Sequence, residues 1–391
     1  EVAVKQDVSI VGVGMTSMSR RDMTPEAMAR QVVGEALADA GVTPSEVGLV
    51  VMANALGGRL ADQGCIRGQS WLRGVDTGSA GIVNVDNSCA GGSSALHLGV
   101  ATAAAGQSPV LVVGVEKMWT GDRAQTLAGI EDGLPSDERR ELQGRLHNDA
   151  GSILMGLNAT WVRHQIEERG TTAREIAATT VKARAHAAAN PLAQFRDPVT
   201  VDEVLASPSV VPPLTRLMCS SFTDGGAAVV LATGASKSAP RVRASLLRSG
   251  DGQLDYHDRM AEVADEVWKA AGLGPEDVDV AEIHDATSAE ELFALESLGF
   301  FAPGEAGART VEGATRVGGR VCVNPSGGLV GRGHPLGATG LCQIAELVLQ
   351  LRGRAGDRQQ PGARTALAVN TGGILSGRDA AVVAMHVLQG G

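Results

Sequence analysis

Residues 84–96 end a polar turn on Cys89 and then open a small-residue helix. A thiol at a helix start lies near the positive end of the helix dipole, which favours the thiolate and predicts a lowered pKa and a nucleophilic sulfur. A lone cysteine in such a segment is ordinarily an inert buried hydrophobe; the polar approach and the immediate helix start argue for the reactive alternative. His334 lies in the glycine-rich stretch 324–340. A loop histidine is ordinarily solvated, but glycines at this density let the backbone run close to another segment or a ligand. An imidazole held there is a base for a thiol.

Two further turns carry polar groups. His284 and Asp285 follow the apolar run 278–283, at the carboxyl end of a predicted strand, where open α/β sheets bind ligands. Asp285, Thr287 and Ser288 compete to cap the helix that follows, which leaves His284 to face the site. Asn370, Thr371, Gly372 and Gly373 follow the apolar strand 366–369. They read equally as a tight turn or as backbone N–H donors for a developing oxyanion.

The elements that must hold these turns alternate. Strands are predicted at 8–13, 49–53 and 109–115, with 81–86 leading into the cysteine motif, and helices over 24–40, capped by Thr24 with Pro25 in the first turn, and over 93–105. Nearly all-apolar strands predict a mostly parallel sheet covered on both faces. From about 119 the texture changes to charged and amphipathic helices, 159–170 and 171–189 among them, and a proline-rich loop over 190–213; this reads as an insertion folded over the sheet. The strand pattern returns at 224–231. A second half begins near 241, with helices over 258–271 and 288–298, a strand at 278–283, the glycine loop 324–340 feeding another helix, and closing strands at 365–370 and 380–387. Each half has a glycine-rich turn leading into a small-residue helix, which suggests a duplicated fold.

Composition narrows the class. The 391 residues suffice for two fused halves, and 43% hydrophobic with 20% charged residues fits an ordinary globular protein. A formal net charge of −10 argues against a nucleic-acid surface. Five widely spaced cysteines without a C-x-x-C pair point to reduced cytosolic thiols rather than disulfides or a zinc site. The charged segment 1–7 is not a signal peptide, and no apolar run is long enough to span a bilayer. The expected compartment is the cytoplasm.

With these turns in hand the chain resembles the thiolase superfamily, in particular its sterol carrier protein type, over nearly its whole length. Ser88-Cys89-Ala90-Gly91-Gly92-Ser93 is similar to the nucleophile loop, His284-Asp285-Ala286-Thr287 to the histidine-aspartate loop and Gly333-His334-Pro335 to the histidine loop. Leu217-Met218-Cys219-Ser220 with Asp224-Gly225-Gly226-Ala227 resembles the end of the family's loop domain. The resemblance implies a five-layered α-β-α-β-α thiolase fold of two similar α/β halves: 1–118 with 224–235, an inserted loop domain 119–223, and 236–391. It implies that Cys89 is acylated by a thioester and that His334 is its base. His284 would join His334 in one oxyanion hole, and the backbone N–H groups of Cys89 and Gly372 would form a second. It further implies association as a homodimer or higher, a coenzyme A thioester as substrate and neither a further cofactor nor a metal.

The family uses a second cysteine in its condensation step, and the corresponding positions here are Asn370 and Ala286. Neither can shuttle a proton. Cys342, eight residues past His334, and Cys322, in a strand-like run, read as packed structural cysteines. The expected function is therefore acyl capture on Cys89 and transfer of the acyl group to or from a carbon nucleophile, within lipid or acyl-CoA metabolism. Two alternatives stand beside it. One is a retro-aldolase cleaving a β-hydroxyacyl-CoA, of the steroid side-chain type, with an OB-fold protein partner and proton transfer from a tyrosine such as Tyr256. The other is a non-catalytic acyl-binding subunit.

Overall fold

The computed structural model describes residues 7–19, 23–146, 152–236 and 238–391; the charged opening segment lies almost wholly outside them. Ten strands form the sheet system. The first half contributes β1 (Val8–Met15), β2 (Leu49–Ala53), β3 (Gly81–Val85), β4 (Val110–Glu116) and β5 (Gly225–Thr233). The second contributes β6 (Arg241–Ser249), β7 (Val280–Ile283), β8 (Cys322–Val323), β9 (Thr365–Leu375) and β10 (Asp379–Gln389). The strand orders are β3-β2-β4-β5-β1 and β8-β7-β9-β10-β6, so each half repeats the same path. The pairing senses repeat as well. In each half the second strand pairs in parallel with the third and fourth, and the last two pairings are antiparallel. The duplication suggested by two glycine turns is thus carried by topology. The two halves meet at a single strand pairing, Ser9 with Arg241.

The sheet is mixed, not mostly parallel as the apolar strands predict. Continuous burial on both faces, as in β4 and β7, produces the same apolar run whichever way the neighbour points. The direction is set by connections. β9 reaches β10 through the short turn 376–378, which can only reverse the chain.

Helices complete the layers. α1 (Pro25–Ala40), capped by Thr24 as its spacing predicts, packs on the outer face of the first half. α2 (Gly91–Ala104) and α7 (Thr339–Leu351) lie between the two sheets, in an apolar cluster that joins Val51, Leu96 and Val229 of one half to Val280, Leu341 and Ala368 of the other. α7 is buried almost all round, as a middle-layer helix must be. Outside the second sheet lie α5 (Tyr256–Ala271) and α6 (Ser288–Ser297). Between β4 and β5 the chain runs through α3 (Ile153–Arg169) and α4 (Ala173–Ala188), whose Val162 and Ile176 share a core with Val263 and Phe293 of the second half. This excursion therefore crosses over to roof the carboxyl ends of β7 and β9.

Candidate active site

The amino ends of α2 and α7 meet at glycines. A Cβ on Gly92 would lie 3.0 Å from the carbonyl oxygen of Gly337, and one on Gly340 would lie 2.2 Å from Ser93 Oγ. Only hydrogen at these positions lets the two turns approach so closely. The turn before α2 is tight: Ser88 adopts φ +50°, Ala90 N donates to Asn87 O at 3.0 Å and Gly91 N to Ser88 O at 3.1 Å. Cys89 sits on its crest.

Cys89, His284 and His334 all line one cavity of about 780 Å³, together with Gly372. Much of its wall comes from the segment between β4 and β5, including Leu127, Met155, Trp161, Phe195 and Phe222. Burial in this apolar chamber pushes the Cys89 thiol up to about 12; a hydrogen bond from Ser88 opposes that rise, and the negative charges of Glu290 and Glu116 add to it. The direction is opposite to that expected of a thiol at a helix start, and lost hydration is the largest cause. At rest the sulfur carries its proton and needs a base.

His334 is held by two hydroxyl groups. Its backbone N donates to Thr223 Oγ1 at 3.1 Å, and its Nδ1 lies 2.7 Å from Thr339 Oγ1. The Thr339 hydroxyl already donates to Pro335 O at 3.0 Å, so it must accept from Nδ1–H. The tautomer is then fixed with Nε2 unprotonated. His284 is held the opposite way. Ser93 Oγ donates to Asn370 Oδ1 at 3.2 Å, which turns the amide so that Nδ2 donates to His284 Nδ1 at 2.9 Å. With Nδ1 accepting, Nε2 carries the hydrogen. Burial drives His284 down to about 3 and His334 well below the usual histidine value, so both rings are neutral. They stand edge to face with centroids 5.2 Å apart. One ring accepts a proton and the other donates a hydrogen bond.

Around these rings the loops are pinned by buried carboxylates. Glu116 accepts from Ala55 N, Leu56 N and Gly337 N at 2.9, 3.0 and 2.9 Å, tying the histidine loop to the first half. Asp285 does not cap α6; it accepts from Leu329 N at 2.7 Å and anchors the approach to His334. Thr287 takes the cap position, but its hydroxyl donates to Asn158 Oδ1. Residues 370–373 are not a turn either, since β9 runs through them to Leu375. Gly372 packs against the nucleophile turn so tightly that a Cβ there would lie 2.4 Å from Asn87 O and 2.6 Å from Ala90 N.

Three further groups line the cavity; Tyr256 is the tyrosine offered for the aldolase alternative, and Cys219 and Glu290 carry no chemical reading in the sequence. Cys219 lines the cavity beside the histidine-aspartate turn, with Ser220 N donating to Ala286 O at 2.9 Å; burial pushes its thiol up to about 12. Tyr256 directs its hydroxyl to Thr371 Oγ1 at 2.5 Å. Glu290 also faces the cavity. Cys322 and Cys342, by contrast, are buried in the apolar core between the halves and do not line the cavity.

Comparison with known proteins agrees with this architecture. Residues 8–235 match the family model described as Thiolase, N-terminal domain, and residues 253–385 match Thiolase C-terminal domain-like. The chain is 37% identical over 389 residues to Acetyl-CoA acetyltransferase of Methanothermobacter thermautotrophicus, covering 94% of this chain and 97% of that one. It is 33% identical over 402 residues to human Sterol carrier protein 2, covering 95% of this chain and 71% of the relative. Benzoylsuccinyl-CoA thiolase subunit BbsB of Thauera aromatica is 32% identical over 398 residues, covering 95% and 96%. Among solved structures, the Ltp2-ChsH2(DUF35) aldolase superposes with a TM-score of 0.81 at 23% identity over 98% of both chains. Human mitochondrial 3-ketoacyl-CoA thiolase superposes with a TM-score of 0.72 at 18% identity, over 99% of this chain and 100% of that one. At those identities the structural likeness concerns the fold alone, whereas the two family models together span both halves: the chain belongs to the thiolase family.

Proposed function

We propose that this thiolase-like acyltransferase captures an acyl group on Cys89 and passes it to or from a carbon nucleophile. The observation that carries this reading is the pair of oppositely fixed imidazoles beside one thiol. His334 Nε2 takes the Cys89 proton as sulfur attacks a thioester carbonyl. The ring then presents an N–H in its turn, and with His284 Nε2–H offers two donors to a carbonyl oxygen that gains charge. The backbone N–H groups of Cys89 and Gly372 serve the second oxyanion. Arg123, Arg184 and Arg216 line the same cavity and supply cations for the phosphates of a coenzyme A thioester. Its apolar wall and volume suit an acyl group larger than acetyl.

The reading extends to organisation. Residues 119–223 act as a loop domain inserted into the first half. The exposed edge strand β3, with Val83 39% exposed, supports a homodimer formed through the sheets. Among the described residues no helix is long and apolar enough to cross a membrane, and all five cysteines are free, which supports a reducing cytoplasmic site of action. Exchange of labelled coenzyme A into an acyl-CoA pool tests the reaction. The label enters with the wild-type protein and not with Cys89→Ala; exchange that persists in Cys89→Ala contradicts the reading.

Tyr256 favours one alternative. The residue lines the cavity with a phenol that keeps its proton, which suits proton donation in a retro-aldol cleavage; the Ltp2-ChsH2(DUF35) aldolase carries an aldolase activity in its name. Under that reading a small OB-fold protein is the partner. Carbonyl release from a β-hydroxyacyl-CoA that survives Cys89→Ala and stops in Tyr256→Phe selects it.

A further inference from the structure

Carbon–carbon bond formation needs a second proton acceptor besides the Cys89–His334 pair, and Asn370 and Ala286 cannot act as one. The cavity holds another candidate at the first turn of α6. Glu290 is 4% exposed and lines the same chamber as Cys89, His284 and His334. Its Oε2 accepts from Ala286 N at 2.9 Å, and the side chain of Asn158 adds a hydrogen bond.

The bland reading is a helix cap, and the chain supplies its own controls. Glu46, Glu175 and Glu203 stand three residues after Thr43, Thr172 and Thr200, and each accepts both the threonine N–H and its hydroxyl. Their hydrogen bonds hold Glu46 and Glu203 below the usual carboxylate range. Glu290 stands three residues after Thr287 and shares the threonine N–H contact, but the Thr287 hydroxyl goes to Asn158 instead.

The other buried glutamates have cationic partners or, for one, a cluster of backbone donors. Glu282 pairs with Arg332, Glu291 with Lys182, Glu296 with Arg169 and Glu346 with Arg358, while Glu116 collects backbone N–H groups. Among the described residues no ion pair holds Glu290. Burial raises it to about 7, against the pull of its hydrogen bonds to Ala286, Asn158 and Thr287. Its negative charge in turn acts on Cys89, on Cys219 and on Tyr256 of α5. Cys219 and Tyr256 hold their own protons too tightly to be bases near neutrality, the first with its thiol at about 12 and the second with its phenol well above the usual value. The two imidazoles in the chamber are neutral, and the cations on its wall are Arg123, Arg184 and Arg216.

Resting on the acyl-transfer reading above, we propose that Glu290 is the acid/base group of the carbon–carbon step. Its carboxylate removes an α-proton from a bound acyl-CoA; the C–H electron pair moves into the enolate, whose oxygen accepts the His284 hydrogen bond. The enolate carbon attacks the acyl-Cys89 carbonyl, a C–C bond forms, the C–S bond breaks, and Cys89 leaves as a thiolate. The proton on Glu290 returns to that sulfur, which restores both groups. In the cleavage direction Glu290 protonates the departing enolate carbon.

The test is deuterium incorporation at the α-carbon of acetyl-CoA in deuterated buffer, measured for the wild type, Glu290→Gln, Glu290→Asp and Cys89→Ala, beside acylation of Cys89 by mass. Glu290→Gln keeps an acceptor for Ala286 N–H, so helix α6 retains its start. It should slow α-exchange by about a hundredfold or more, and slow it far more than it changes the rate of Cys89 acylation. Glu290→Asp should recover part of the rate. Wild-type exchange should rise with pH through about 7 and then level, because the deprotonated carboxylate is the active form; Glu290→Gln should lose that rise. Exchange in Cys89→Ala reports on Glu290 even if acylation fails, so the two readings fail separately. Wild-type rates of exchange in Glu290→Gln, no exchange in the wild type, or loss of exchange in Cys219→Ser with Glu290→Gln unaffected would each overturn the proposal.

Discussion

The two halves follow one strand path, yet they bring different side chains to the cavity. The first half ends its third strand, β3, in the turn that carries Cys89. The second half offers His284 after β7, His334 before α7, and Asn370 with Gly372 on β9. Equivalent glycine turns thus deliver a sulfur from one side and proton-handling groups from the other. A duplicated fold lets each copy specialise, because the close meeting of α2 and α7 makes one chamber from two scaffolds.

That division is breakable by substitution. The largest effect belongs to the base proposed for the second half. His334→Ala should slow Cys89 acylation by about 10²–10⁴-fold in single-turnover kinetics with the fold intact; an undiminished rate would mean that the first half activates its own thiol. Next comes the donor ring. Asn370→Asp supplies only acceptor oxygens, which forces hydrogen onto His284 Nδ1 and strips it from Nε2. The rate should fall by about a hundredfold, mainly in kcat, and Asn370→Gln, which keeps an amide donor, should lose less. The smallest effect probes the seam itself. Gly340→Ala places a methyl 2.2 Å from Ser93 Oγ and should cost about 1–3 kcal/mol in denaturant unfolding, with a smaller loss of rate as the turns separate.

What the sequence reveals and what it hides have different physical ranges. Cys89, His284 and His334 are legible because each terminates or precedes an apolar run, and punctuation of that kind is local. Glu290 is not. In sequence it is one more glutamate in a first helical turn, indistinguishable from Glu175 or Glu203; only the roof formed by α3 and its neighbours, which buries it beside Asn158, changes its chemistry. Cys219 hides for the same reason, lying 130 residues from Cys89 in a segment that looks like loop. The direction of strand pairing is equally concealed, since strands buried on both faces give the same apolar run whichever way their neighbours point. The thiol's acidity depends on a competition between a helix end and burial, and burial is set by residues far along the chain.

The central claim is that Cys89 is the acyl acceptor, deprotonated by the opposite half. Intact-protein mass spectrometry after incubation with an acyl-CoA, followed by peptide mapping, measures it directly. The account predicts a gain of one acyl group located on Cys89, absent in Cys89→Ala and formed far more slowly in His334→Ala. An adduct on Cys219, or no adduct while carbon–carbon cleavage proceeds in Cys89→Ala, would contradict it.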